Sequence, residues 1–214
     1  MLLLTCATSA EADALRQGLA AAGLDPRRTP VTVTGIGRGA TAFAYARALM
    51  QRPTGVVQVG IGGAYPAAGL AVGAVAVATQ DTYADLGADD DGRLLSVADL
   101  GLHLLPGFPG QTFPADPALS AMFAGVQGPF LTVETATGSA ANAARLVDRW
   151  GPALVESMEG AAGAHACALD GVPFAQVRAI SNLVGPRDRA AWAVREALAA
   201  VVDVVVAGVR KLIT

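Results

Sequence analysis

The sequence predicts an α/β fold, a central sheet flanked by helices, in one domain over residues 1–214. Apolar runs of strand length alternate with alanine-rich stretches of helical length, and Gly, Ser or Pro punctuates the junctions. The length suits one α/β domain with a sizeable core and is too short for two. With 53% hydrophobic and 15% charged residues, the chain has little charge to cover a surface. Some apolar surface is therefore expected between subunits of a homo-oligomer, although a GC-rich genome favouring Ala, Gly, Val and Arg gives the same composition.

Leu2 to Cys6 reads as a buried strand, followed by a helix from Ala10 to Ala22 closed by Gly23, with Ser9 as its N-cap. Glu11 lies in the first turn, where a carboxylate often only complements the helix dipole. Val31 to Thr34 is a second strand, turned by Gly35-Ile36-Gly37-Arg38-Gly39 into a helix from Ala40 to Met50. That spacing is G-x-G-x-G rather than G-x-G-x-x-G, and no acidic residue follows some twenty positions on, which argues against a dinucleotide cofactor. Gly55 to Val59 is a third strand, and Gly60-Ile61-Gly62-Gly63 after it is expected either to bring backbone N–H groups close to a ligand or simply to turn the chain tightly.

Val72 to Thr79 reads as a fourth strand, with a polar excursion from Asp81 to Asp85 and a solvated turn at Asp89-Asp90-Asp91-Gly92. The acidic triplet lacks the ligand spacing of a calcium loop, so no metal is expected there. Residues 95–112, rich in Gly and Pro, read as a loop with His103 on its surface, long enough for a lid or a subunit contact. A short helix over Asp116 to Ala124 and a strand from Gly128 to Val133 follow, then a helix from Ser139 to Trp150.

From Leu154 to Asn182 the chain reads as strand, helix, Gly-Val-Pro turn and strand, with its polarity at the junctions. Met158-Glu159 stands where strand passes into helix; Arg178, Ser181 and Asn182 sit on and just past an otherwise apolar strand. In open α/β sheets ligands bind at such strand ends, so a carboxylate and an amide at two of them are candidates for one site. The plain alternative is a helix-start Glu and a helix-cap Asn. A loop through Gly185-Pro186 leads to a closing helix from Arg187 to Val209.

Composition excludes other classes. A net charge of −3 without a basic cluster argues against nucleic acid as a partner. Cys6 and Cys167 fall in no metal-binding or redox spacing, and reduced thiols fit a cytoplasmic protein. MLLLTCATSA lacks the basic region and apolar length of a signal peptide, and the apolar tract from Val194 to Ile213 is broken by Arg195, Glu196, Asp203 and Arg210. A cytoplasmic location with no membrane partner is the expectation.

The segments SMEGAAGAHAC and VPFAQVRAISN resemble the purine nucleosidase and phosphorylase superfamily, and within it the futalosine hydrolases, nucleosidases of menaquinone biosynthesis. The resemblance implies a nucleoside phosphorylase-like fold with a mixed twisted sheet, a nucleoside as small-molecule substrate, and no cofactor. It implies catalytic roles for Glu11, which would activate water (Asp13 being the fallback), for Glu159, which would hold the ribose hydroxyls, and for Asn182 at the purine. Met158, Gly60, Ile61, Gly62, Phe130 and Ser181 would contact substrate, Phe130 by stacking on the base, with Glu134 and Thr135 near its edge; all three also fit ordinary strand-exit residues. Phosphorylases of the superfamily hold phosphate with an Arg and a Ser where this chain has Gln58 and Ile61, which favours water as the nucleophile. Adenine-specific nucleosidases carry Asp where this chain has Asn182; an amide both donates and accepts, which suits a 6-oxopurine such as hypoxanthine. A methylthioadenosine or adenosylhomocysteine nucleosidase, a purine nucleoside phosphorylase and a non-catalytic nucleoside-binding protein remain the alternatives.

Overall fold

The computed structural model describes residues 1–105, 108 and 110–213. In chain order the elements are β1 (Leu2–Cys6), α1 (Ser9–Ala21), β2 (Val31–Val33), α2 (Arg38–Ala48), β3 (Gly55–Ala64), β4 (Val75–Tyr83), β5 (Gly87–Asp90), β6 (Arg93–Ser96), β7 (Thr112–Pro114), α3 (Pro117–Ser120), β8 (Val126–Thr132), α4 (Ala140–Trp150), β9 (Val155–Ser157), α5 (Gly160–Asp170), β10 (Phe174–Leu183) and α6 (Val194–Ile213). One mixed sheet runs β10-β4-β8-β9-β3-β1-β2, with β7 on β4 and a separate β5–β6 hairpin. β3 also pairs with β10, so the pairings β3–β10–β4–β8–β9–β3 close into a ring. The long β3 allows this: its first half lies beside β1 and its last two residues beside β9.

Helices cover the sheet on both sides. Leu15 and Leu19 of α1 and Ala197, Val201, Val205 and Val209 of α6 bury against β1, β3 and β10. On the other side, Tyr45 of α2 and Ala161, Ala164 and Cys167 of α5 form a second cluster. The first half of α5 is fully buried, and its small residues Gly160 to Ala164 let it lie close to the sheet, while its last turn is exposed.

Several boundaries differ from the sequence expectation. Gly60–Gly63 is the second half of β3, because these glycines admit neighbours that a side chain would block: a Cβ at Gly62 would lie 2.6 Å from Val155 Cγ1 and 2.9 Å from Glu156 O. The polar excursion expected at residues 81–85 begins inside β4, with Asp81 and Thr82 buried. The helix expected over 116–124 is the single turn α3, capped by Asp116 on the Leu119 N–H. The N-cap of α1 is Thr8 rather than Ser9. The closing helix begins at Val194, after a 3₁₀ turn over Arg189–Ala191. Within the loop expected at 95–112, His103 is exposed, β6 ends at Ser96 and β7 begins at Thr112. Residues 106, 107 and 109 of that loop lie outside the described residues.

Candidate active site

A cleft of about 420 Å³ opens where β3 and β10 end and α1 and α5 begin. Glu11, Met158, Glu159, Ser181 and Asn182 all line it, as do Ile61 and Gly62. Asp13 does not; it is exposed and paired with Arg16.

Glu11 is buried at the third position of α1. It completes a capping box, in which Thr8 accepts from the Glu11 N–H while Glu11 Oε2 accepts from the Thr8 N–H (2.9 Å) and hydroxyl (2.8 Å). Its other oxygen accepts the Ile61 N–H at 3.2 Å. An ordinary helix-start role and a place in the cleft therefore coincide in one side chain. One lone pair of Oε1 stays open for a further donor.

Glu159 stands at the N-cap position of α5, yet its carboxylate makes no capping bond to that helix. Oε1 accepts from the Gly37 N–H and Oε2 from Arg178 Nη2, each at 3.2 Å. Gly37 has a φ of 84°, a conformation that turns its N–H inward without the strain a side chain would add. Arg178 is 2% exposed and donates from Nη1 to Ile61 O at 3.2 Å. Gly60 leaves the space for this: a Cβ there would stand 2.5 Å from Arg178 Nη1 and 2.6 Å from Glu11 Oε1. Two carboxylates thus flank one buried guanidinium in a cleft lined largely by apolar residues. Burial first, and then the charge of Glu11, push the Cys6 thiol behind them up to about 12, so it is inert at neutral pH.

At the end of β10, Asn182 Oδ1 accepts the Ser181 hydroxyl at 2.7 Å and Nδ2 donates to Leu183 O at 2.9 Å. A backbone carbonyl can only accept, so the amide is oriented, and one N–H and one lone pair remain for a ligand.

Four expected contacts, Gly60, Phe130, Glu134 and Thr135, are not brought to the cleft. Phe130 is fully buried in the sheet with Ala64, Ala78, Val155 and Ile180, because β8 lies between β4 and β9 and turns this ring into the core. Gly60 is absent from the lining and acts through the space it leaves. Glu134 is drawn to Arg38 (2.7 Å) and exposed. Sequence reasoning missed Glu156, which lines the cleft and accepts from the Tyr65 hydroxyl (2.9 Å) and the Thr137 N–H (2.8 Å). A charged residue within a three-residue buried strand was the signal for it. Burial, then the Glu156 carboxylate, raise the Tyr65 phenol and keep it a donor. Arg187, at 5.3 Å over the Trp192 ring, was also missed at the cleft.

Among the described residues, no group of three or more His, Cys, Asp or Glu could hold a metal ion, and no helix is long and apolar enough to cross a membrane.

The model of the phosphorylase superfamily matches residues 15–213. The chain belongs to this superfamily. The futalosine hydrolase of Streptomyces coelicolor is 40% identical over 221 residues, covering 95% of this chain and 93% of the relative; that of Thermus thermophilus is 37% identical over 172 residues, covering 78% and 75%. Within the superfamily, the chain falls in the futalosine hydrolase family. Among solved structures, the fold is similar to the methylthioadenosine/adenosylhomocysteine nucleosidases of Neisseria meningitidis and Colwellia psychrerythraea, with TM-scores of 0.82 and 0.83. Identities are 20% and 21%, with 98% and 99% of this chain and 98% and 95% of those chains covered. At such identity the likeness concerns the fold, which is the mixed α/β architecture expected from the sequence.

The pairing of Glu159 with Arg178 generates a stability prediction. Removing one partner of a buried pair strands the other charge, at a cost of about 3 kcal/mol. Glu159→Ala is expected to lower the unfolding free energy by about that amount, and Glu159→Gln by less, since its amide oxygen still accepts from Arg178. Denaturant unfolding checks this; equal stability of wild type and Glu159→Ala would show that Arg178 does not depend on Glu159.

Proposed function

We propose that the protein is a nucleosidase that hydrolyses the N-glycosidic bond of futalosine, releasing hypoxanthine and dehypoxanthine futalosine. Near full-length similarity to the futalosine hydrolases supports the substrate; the cleft supports the chemistry. The resemblance links this step to menaquinone biosynthesis.

In this reading Glu159 accepts the ribose hydroxyls, in charge-assisted bonds, while Met158 packs against the sugar. Glu11 orients a water through the open lone pair of Oε1 and takes its proton as the water attacks C1′. The leaving base strips electron density from the sugar, and the two carboxylates stabilise the positive charge that develops there. Asn182 offers its free N–H to O6 of the departing hypoxanthine and its free lone pair to N7–H once N7 has taken a proton from solvent, with Ser181 holding the amide. Ile61 and Gly62 form part of the cleft wall, and Gly60 gives Arg178 and Glu11 room behind it.

Water rather than phosphate is the nucleophile in this reading. Gln58 is fully buried beside Tyr45 and Ile61 offers no side-chain donor, while the guanidinium of Arg178 is committed to Glu159 and Ile61 O. We also infer a cytoplasmic homo-oligomer. Cys6 and Cys167 are both free thiols. Ile36, Phe43 and Met50 are 61%, 68% and 81% exposed, more apolar surface than a monomer gains from displaying, and Ile36 itself borders the cleft. Light scattering is expected to give a multiple of the chain mass; a monomer would remove this inference.

Incubation with futalosine, inosine and methylthioadenosine, with and without phosphate, tests the function. Hypoxanthine and a free sugar product are expected from futalosine at a rate indifferent to phosphate. A sugar 1-phosphate would make the protein a phosphorylase, preferential release of adenine would favour the methylthioadenosine reading, and binding without base release would leave a nucleoside-binding protein. Asn182→Asp replaces the donor facing O6 with an acceptor, and a mismatched buried polar pair is costly. The variant is expected to lose about tenfold or more in kcat/KM for the hypoxanthine nucleoside and to raise the ratio of adenine to hypoxanthine release. An unchanged ratio in steady-state kinetics on nucleosides differing only at the 6-position would show that Asn182 does not read the base.

A further inference from the structure

Behind the cleft, buried side chains run from Glu159 through the sheet and back to α5. Gln176, two residues before Arg178 on β10, is fully buried with its amide between Arg178 and Asp81. One orientation satisfies both neighbours: the nitrogen donates to Asp81 Oδ2 at 2.8 Å and the oxygen accepts from Arg178 Nε at 3.1 Å. Turned over, the amide sets its oxygen against the carboxylate and its NH₂ against the guanidinium N–H, and the nitrogen keeps a 3.4 Å bond to Ser157 Oγ. Asp81 Oδ1 accepts the Thr132 hydroxyl at 2.8 Å, and Thr132 Oγ1 accepts the Ala161 N–H at 2.8 Å. Ala161 lies in the first turn of α5, two residues after Glu159, so the chain of contacts closes on itself. Gly160 makes it possible, since a Cβ there would run into both Asp81 Oδ2 and the Gln176 amide.

We propose that Asp81 and Gln176 form a proton-operated positioning relay for Glu159, the amide of Gln176 reporting the state of Asp81 to Arg178. With Asp81 ionised, Gln176 donates to it and presents its oxygen to Arg178, whose guanidinium is then fixed against Glu159. When Asp81 takes a proton from solvent, its O–H donates to the Gln176 oxygen and the amide turns over. Arg178 Nε then meets an NH₂ group, and the guanidinium loses an acceptor that holds it in place. Neither Asp81 nor Gln176 lines the cleft, so both are positioning residues acting through Arg178. The relay rests on the reading of Glu159 as the ribose anchor.

The environment of Asp81 puts the switch in a usable range. Burial pushes its carboxyl up to about 7, against the lowering effects of the Thr132 hydrogen bond and the Arg178 charge. The ionisable groups around it are Arg178 on β10, with Glu159 beyond it at the entry to α5, Tyr65 after β3, and Tyr83 on its own strand; both phenols are raised, chiefly by burial. Thr132 of β8, Ser157 of β9, Gln176 of β10 and Gly160 of α5 are uncharged. A carboxyl raised in the folded state contributes stability that is fully present below its unfolded pKa and is lost as pH rises through about 7. At mildly alkaline pH the ionised Asp81 is therefore a cost to the fold, and replacing it with an uncharged isostere should relieve that cost.

The test follows kcat/KM for base release from about pH 5.5 to 8.5 in wild type, Asp81→Asn and Gln176→Met. Wild type is expected to fall roughly tenfold on the acid side of the transition, mainly through KM, the scale of one lost hydrogen bond to a charged group. Asn at position 81 donates to the Gln176 oxygen and mimics the protonated state, so Asp81→Asn should show the low acid-side value at every pH. Gln176→Met leaves Asp81 able to titrate but removes the reporter, and should also be flat. Asp81→Asn should melt higher than wild type at pH 8 but not at pH 5. A flat wild-type profile, or an acid limb that survives in either variant, overturns the relay. Failure of the functional reading looks different: no base is released at any pH, and the Kd for inosine, measured by calorimetry over the same range, then carries the same comparison. A pH-independent Kd in wild type would overturn the relay on that arm too.

Discussion

The site depends on one buried ion pair, Arg178 with Glu159. Bringing a guanidinium and a carboxylate out of water costs several kcal/mol per ion, and their attraction offsets this only when the remaining donors and acceptors are also met. The structure around the pair meets them: Gly37 donates to the free oxygen of Glu159, Ile61 O accepts from Arg178 Nη1, and Gln176 accepts from Nε. Each demand falls on a different segment. Gly37 in the β2–α2 turn and Gly60 in β3 thus serve a single charged contact, the one by donating to Glu159 and the other by leaving room for Arg178. A hydrophobic pair of similar volume would hold these strands together at less cost.

Much of this was legible in the sequence because polarity stood where an apolar core was expected. Glu159, Ser181 and Asn182 interrupt apolar strands at their ends, and Glu11 opens a helix, so their convergence at one end of the sheet followed from the α/β pattern. The parts that were not legible depend on pairing across the sheet. A glycine run reads as a turn until β9 and β10 are seen to approach β3 closely from either side, which makes the same residues a strand. Phe130 at a strand exit looks available for stacking, but its orientation is set by which strands flank β8, and that order is not local information. The partners of Glu156, Asp81 and Gln176 were not legible because a polar residue within a buried strand gives no sign of what it meets across the sheet.

The same geometry separates this cleft from that of a phosphorylase through what its cations are doing. A phosphate dianion requires positive charge or several donors left unengaged at the nucleophile position. Here the central guanidinium is engaged on both of its terminal nitrogens, and the adjoining wall is the apolar side chain of Ile61. Beside that wall the Glu11 carboxylate is an acceptor and no donor.

Glu159 is held from the β2–α2 turn and from β10, in contacts that span 122 and 19 residues of chain. The contact with the Gly37 N–H closes a long loop of chain before it contributes anything. The arrangement around Glu159 is therefore complete only when the β2–α2 turn and β10 are both in place. A nascent chain that lacks β10 carries Glu11 and Glu159 but not the guanidinium that Glu159 pairs with, so the charge balance of the cleft is set only when the last strand is added.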